Sequence, residues 1–327
     1  MITPRLLRRA AWRGAQWRLL LIWWASLLMP LFIAGLPLFA FLDRHLGHTT
    51  RAVTARLDGS TLLDLLRQLG EDGASQAIGQ GIAGAAVVLL FSAPFAAGAA
   101  VAAAQTDEPL DLRRLSAGAA GLYGRMLRAL LCGLVPLALA GALGGGSFFL
   151  AYKANQKLIS ESAADRRLLL ASLFSALLLF LAHLLIEATR AHFAAEPARR
   201  SAWLSLWSAV KLVRRWPLRA LSIGAAGAVV AVLPAALLMA LRLQIVQKNA
   251  FLVLIAWLLA QGAQLAVGWG RNLRIFGFTE LIRADMALRA RLETPIRLTP
   301  PLVAPVAPEP AGLGELAPLS KGQGPAI

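Results

Sequence analysis

One cysteine, Cys132, stands among 327 residues, and it lies inside an apolar run. A lone thiol closes no intramolecular disulfide, and no Cys/His spacing suited to structural zinc is present. Charge is scarce as well. Only 15% of residues are Asp, Glu, Lys or Arg, 58% are apolar, and the mean hydropathy is +0.63. Water-soluble domains carry about 25% charged and about 45–50% apolar residues, so an ordinary soluble enzyme is excluded. Disorder over most of the length is excluded too, because too much apolar surface would stay in water. Phosphate loops ending in Lys-Ser or Lys-Thr, His-Glu-x-x-His and Gly-x-Ser-x-Gly are all missing. The expectation is a protein that is not an enzyme and needs no cofactor or metal.

What the chain does have is length without charge. A bilayer core about 30 Å thick is crossed by about 20 apolar residues in a helix. Six stretches qualify, at 19–42, 81–104, 129–152, 168–186, 220–241 and 251–270, each without Asp, Glu, Lys or Arg. Backbone groups cannot stay unpaired in hydrocarbon, so these are helices. The runs are continuous rather than alternating, which excludes a β-barrel. The fold class expected is all-α: a polytopic membrane bundle of six transmembrane helices with cytoplasmic interfacial amphipathic helices. The first run has the basic flank of a signal peptide (Arg5, Arg8, Arg9, Arg13 and Arg18), but its apolar part exceeds the usual length of about 7–15 residues, and no small-x-small site closes it. It reads as a retained span, with Pro30 and Pro37 as kinks.

The net charge is +16, from 33 basic and 17 acidic residues. In a soluble chain this would raise nucleic acid as a partner; in a membrane chain the question is which side holds the charge. Lys and Arg number 23 on the side of the two termini and 10 on the other. The positive-inside rule then puts both termini in the cytoplasm of a bacterial inner membrane, and an even number of crossings agrees. The excess of arginine over lysine, with abundant Ala and Leu, fits a GC-rich bacterial genome.

The segments between spans are informative. On the outer side, Thr61 and Asp64 form a capping-box pattern ahead of an apolar leucine set closed by Gly70, which predicts a short amphipathic helix. On the inner side, Glu108-Pro109, Arg113-Arg114 and Ser116 lead to Arg128, while Glu196-Pro197, Arg199-Arg200 and Ser201 lead to Arg219. The two pairs are 88 residues apart, which suggests duplication of a two-helix unit with an interfacial linker helix. In the second copy Ser201, Ser205, Ser208, Lys211 and Arg215 share one face, and Trp203, Leu206, Trp207, Val210 and Val213 the other, before Trp216 and Pro217 end the helix. Such a helix lies in the membrane plane with its cations near anionic head groups. Trp203, Trp207, Lys211, Arg214, Arg215 and Trp216 are therefore the expected membrane contacts. The sixth span reads on past the membrane over 271–293. The domain division is then 1–293 for the bundle and 294–327 for a cytoplasmic tail, whose eight prolines and lack of aromatics predict disorder.

Ionisable groups within a span are costly and are candidates for function. His183, Glu187 and Arg190 share one face at the inner end of the fourth span, and Glu187 is spaced to pair with Arg190. One reading makes His183 and Glu187 a proton or metal relay, though two ligands are too few for a metal. The other is a helix end where Glu187 reaches water and His183 bonds a neighbouring helix. In the sixth span Gln261, Gln264, Gly268 and Asn272 fall on one face and are suited to bonding across helices. If His183 and Gln264 face each other, they line a narrow polar path. Gly141, Gly144, Gly145 and Gly146 in the third span, with Gly224 and Gly227 in the fifth, predict close helix approach.

The alternation of spans with basic segments, carried by Glu108-Pro109 to Arg128 and Glu196-Pro197 to Arg219, resembles uncharacterised six-helix bacterial membrane families. These include families similar to the membrane domain of some glycerophosphodiester phosphodiesterases. The resemblance covers residues 1–293 and implies a six-helix fold; the phosphodiesterase catalytic domain has no counterpart here. The expected role is a scaffold, assembly or regulatory component of the membrane. A transporter or permease subunit moving a small or lipidic substrate between the fourth and sixth helices is the alternative. The partners expected are a bilayer with anionic head groups and a membrane or cytoplasmic protein, without nucleic acid.

Overall fold

The computed structural model describes residues 4–46, 74–156, 161–245 and 249–293. Among these, eight helices follow in order: α1 (Pro4–Gly14), α2 (Trp17–Leu46), α3 (Ala74–Gln105), α4 (Leu112–Asn155), α5 (Glu161–Ala195), α6 (Ala202–Arg215), α7 (Pro217–Gln244) and α8 (Ala250–Glu293). No strand occurs among the described residues. The expected outer helix around Thr61 and the tail 294–327 lie outside them. Residues Met1–Met286 form one compact unit, and Ala287–Ile327 a second, described only over the last turns of α8.

Six of the helices, α2, α3, α4, α5, α7 and α8, are long and apolar enough to cross a membrane. All six expected spans fall within them, and the chain is a multi-pass integral membrane protein. Its surface says the same: Leu139, Phe149, Leu170, Leu173, Leu233 and Phe251 are all more than half exposed, which only a lipid solvent makes favourable. At about 1.5 Å per residue the 44-residue α4 and α8 are each about 66 Å long, roughly twice the hydrocarbon thickness. The apolar stretch of α4 is its C-terminal half and that of α8 its N-terminal half. Both helices therefore project from the same, arginine-rich end of the bundle.

The core is concentrated at that basic end. Ala96 through Ala104 of α3, Gly98 apart, are almost wholly buried alanine or valine against Leu115, Met126, Phe193, Ile275 and Phe276. A second cluster joins Leu184, Ala188 and Ala191 of α5 to Ala209, Leu212, Ile223, Phe278 and Ile282. Small side chains here let helices approach closely, where lipid supplies no hydrophobic drive for association. Gly227 and Gly270 bring the backbones of α7 and α8 together: a Cβ at Gly227 would lie 2.9 Å from the Gly270 carbonyl oxygen. Gly224 sits under Leu184 and Phe180 as expected of a packing glycine. Of the third-span set, a Cβ at Gly144 would meet Ser175 of α5, whereas one at Gly141, Gly145 or Gly146 would meet nothing within 4 Å among the described residues, which corrects that part of the expectation.

The two inner linkers meet through the ends of the helices before them. Gln105, at the end of α3, donates from Nε2 to the carbonyl of Phe193, 88 positions on and near the end of α5. Asp111 caps α4 by accepting from the Arg114 N–H, as Ser201 caps α6 by accepting from the Leu204 N–H. One expectation is corrected. The first linker is no separate interfacial helix but the opening of α4, which runs unbroken into the third span. The second copy breaks at Trp216 because Pro217 follows, while Ala129 stands at the equivalent place and keeps its N–H in the helix.

An eleven-residue helix, α1, precedes the first span, where the sequence had offered only a basic flank. It is pinned by Arg13, which donates to the carbonyls of Ala103 and Thr106, pairs with Asp107 at 3.2 Å and lies 5.0 Å from the Phe276 ring. Burial pushes the Arg13 guanidinium below its ordinary pKa, against the opposing pull of Asp107 and Glu280. Gly14 ends the helix where a Cβ would lie 3.1 Å from the Leu273 backbone nitrogen, so α1 rests directly on α8.

Candidate functional site

The inner end of α5 turns Glu187 and Arg190 into the protein rather than to water. Glu187 is 3% exposed and Arg190 7%. Arg190 donates from Nη1 to Glu187 Oε1 at 3.3 Å, the pair expected from their spacing. The expectation that Glu187 reaches water is corrected: its second oxygen, Oε2, is buried without a partner, as is Arg190 Nε.

Two arginines of α8 complete the cluster. Arg271 lies within electrostatic reach of Glu187, Arg190 and Arg274, with its guanidinium 5.2 Å from the ring of Trp23 on α2. Arg274 lays its aliphatic stem on Gly227 of α7, and its Nε is buried and unpartnered. One turn outward from Glu187, the exposed His183 feels Glu187 and all three arginines. Around this point stand three guanidinium groups and one carboxylate. The surplus is about two positive charges, in a place where water is scarce and a charge without a partner costs several kcal/mol.

Above the cluster α2 and α8 diverge. Leu28, Leu31, Phe32, Gly35, Leu36 and Phe39 of α2 face Trp257, Gln261 and Gln264 of α8 across a cavity of about 410 Å³. Gln264 Oε1 is buried in its wall with no partner. Gln264 and Arg271 are seven residues apart, two turns along one face of α8, so the apolar cavity and the cationic cluster share that face, with Gly268 packed on Trp23 of α2 between them.

The expected polar face of the sixth span does exist, but it bonds to the first span. Asn272, wholly buried, accepts from Trp23 Nε1 at 2.8 Å and donates to the Gly14 carbonyl at 3.1 Å. Gln261 accepts from Trp24 Nε1 at 2.6 Å, and Gly268 meets Trp23. No hydrogen bond joins His183 to Gln264 among the described residues; it is Arg271 and Arg274 that α8 brings toward His183. Sequence reasoning missed these two as site residues because they follow the sixth span directly and read as its basic flank. The available signal was the seven-residue step from Gln264 to Arg271.

His192 lies apart from His183. Its Nδ1 is 3.3 Å from Glu196 Oε1, and Arg199 bonds both Glu196, at 2.8 Å, and Ser208 Oγ, at 2.6 Å, which ties α6 to the end of α5. On α6 the expected two faces are corrected. Ser205, assigned to the polar face, is fully buried with Ala202, Leu206, Ala209 and Leu212. Trp203 and Trp207, placed opposite Lys211, are instead exposed beside it, with Lys211 Nζ 5.8 Å from the Trp207 ring. Three small residues and two leucines let α6 pack on protein, and the tryptophans Trp203 and Trp207 are left outside. Arg214 is exposed. Trp216 is not a free membrane contact: its Nε1 donates to Asp285 Oδ1 at 2.9 Å, and Arg215 pairs with the same oxygen at 3.4 Å.

Among the described residues no three of His, Cys, Asp and Glu come together in a way that could hold a metal ion. No family model, no curated protein and no solved structure matches the chain.

Proposed function

We propose that this chain is a non-catalytic protein of the bacterial inner membrane, with both termini cytoplasmic, that binds and carries an anionic amphiphile, its head at the cluster of the fourth and sixth spans and its tail between the first and sixth. The observation carrying this reading is the surplus of Arg190, Arg271 and Arg274 over Glu187, two turns along α8 from an apolar cavity on the same face. A carboxylate or phosphate head would meet guanidinium groups with free donors, where charge-assisted bonds are about twice as strong as neutral ones. A hydrocarbon tail would lie along Leu28, Leu31, Phe32 and Leu36. The 23-to-10 excess of basic residues on the side of the cluster supports a cytoplasmic placement for it. A scaffold or regulatory role is the second reading, supported by the exposed Trp207, Lys211 and Arg214 of α6, which suit a membrane or cytoplasmic partner.

The test is equilibrium binding to the purified protein in neutral detergent, comparing radiolabelled lysophosphatidate with monoacylglycerol of the same chain. Lysophosphatidate should bind at least tenfold more tightly, a difference of about 1.4 kcal/mol. Arg271→Gln/Arg274→Gln should abolish that preference while leaving monoacylglycerol unchanged. Equal affinity of the two ligands, or a preference that survives the double variant, would overturn the reading.

A further inference from the structure

A second cavity, of about 510 Å³, lies at the basic end between α4 and the start of α6, away from the cluster just described. Its walls are Arg128, Leu131 and Cys132 of α4 together with Arg200, Ser201, Ala202 and Trp203, so it holds two guanidinium groups and no carboxylate. Arg128 spends only Nε, on the carbonyl of Gly124 in its own helix. Arg200 makes no hydrogen bond or ion pair among the described residues. The loop that presents Arg200 is held to α4 by Arg125, which donates to the Pro197 carbonyl at 2.7 Å. Two cations thus line the same space, with no carboxylate among its lining residues.

The depth of this cavity identifies what fits it. Arg128 is the last charged residue before the third span, and Leu131 and Cys132 lie one turn inside the apolar stretch. From Arg128 the same face of α4 continues through Leu131, Val135 and Leu139, which are 49%, 53% and 60% exposed. A cationic pair at the boundary above a straight apolar track matches a phospholipid, with its head on the arginines and an acyl chain along the helix. Trp203, 57% exposed at the mouth, has the amphipathic ring that settles at head-group level. A choline head would set a third cation against the pair, so the match is to a lipid of net negative charge.

We propose that this cavity is a binding site for one anionic phospholipid, whose phosphate lies between Arg128 and Arg200. The site stands independently of the amphiphile held at the cluster of α5 and α8, and its occupant anchors the α4–α6 corner to the inner leaflet.

The experiment is native mass spectrometry of the full-length protein in neutral detergent, titrated with dioleoylphosphatidylglycerol or dioleoylphosphatidylcholine. One phosphatidylglycerol should be retained at a concentration at least tenfold lower than phosphatidylcholine. Arg128→Gln/Arg200→Gln should remove that preference, and Arg200→Gln alone, at an exposed loop position, should weaken it several-fold even if the double variant folds poorly. Lys211→Gln should leave it unchanged. The whole titration is run in the Arg271→Gln/Arg274→Gln background, so that an anionic lipid held at the cluster of α5 and α8 does not enter the count. Equal retention of the two lipids, or a preference that survives Arg200→Gln at full strength, overturns the proposal. Full displacement of the lipid by millimolar inorganic phosphate would make the cavity a free-anion site and would overturn it as well.

Discussion

Glu187→Gln is expected to lower the unfolding free energy by about 3 kcal/mol and, in the same protein, to tighten the binding of lysophosphatidate. The two effects have one cause. Glu187 is 3% exposed and is the single carboxylate among Arg190, Arg271 and Arg274. Removing one member of a buried ion pair leaves uncompensated charge and costs about 3–5 kcal/mol. The amide keeps the shape and one acceptor, which places the cost at the lower end of that range. With the negative charge gone, an arriving anion meets three arginines without a competitor, so bound lysophosphatidate should restore much of the lost stability. The check is denaturant unfolding in neutral detergent, with and without the ligand, beside the binding isotherm. A variant that loses stability and affinity together would show that Glu187 receives the ligand rather than competing with it.

Gly270→Leu should be more damaging still. A Cβ at Gly270 would meet the Gly227 carbonyl oxygen, the Ala231 side chain at 2.6 Å and the Ala231 nitrogen at 3.1 Å. Backbone stands on the opposing side, so rotamer changes cannot relieve the clash, and α7 must part from α8. Overpacking of a well-filled core costs about 1–3 kcal/mol, and a leucine forced into a backbone crossing should exceed the top of that range. Arg274, whose stem lies on Gly227, would be displaced with it, so anion binding should fall along with thermal stability. Gly145→Ala is the internal control. It also lies within a long helix, yet nothing stands within 4 Å of its added Cβ. It should be neutral or gain up to about 1 kcal/mol from helix propensity.

The spans were legible because lipid imposes a demand that sequence records directly: about 20 residues without charge, in a helix. Continuation of the sixth span through Ile275, Phe278 and Ile282 was legible for the same kind of reason, since an apolar stripe persists among the arginines. What escaped were features that depend on partners distant in the chain. Arg13 reads as one of five flanking cations until Ala103, Thr106 and Asp107 are brought to it, and then it defines α1 as a docked element. Ser205 reads as polar surface, but its hydroxyl is satisfied by the carbonyl of Ser201 one turn back, which makes it small and neutral enough to bury. Of the candidate site, His183, Glu187 and Arg190 were visible on one face of one helix. Arg271 and Arg274 became part of it only when the Gly227–Gly270 crossing set α8 in place. The fusion of the first linker with α4 turned on a single residue, Ala129 where the second copy has Pro217.

The proposed orientation requires α1, the start of α4, the loop before α6 and α8 from Arg271 to Met286 to share the cytoplasmic face of the membrane. Cysteine accessibility in intact cells tests it most directly. With Cys132→Ala as background, single substitutions Arg8→Cys, Glu108→Cys and Arg200→Cys mark the basic end, and Gln156→Cys and Asn249→Cys the opposite one; all five positions are exposed. A membrane-impermeant maleimide should label only the last two until the cells are opened, when all five react. Labelling of Arg8→Cys or Glu108→Cys in intact cells, alongside Gln156→Cys, would contradict the arrangement.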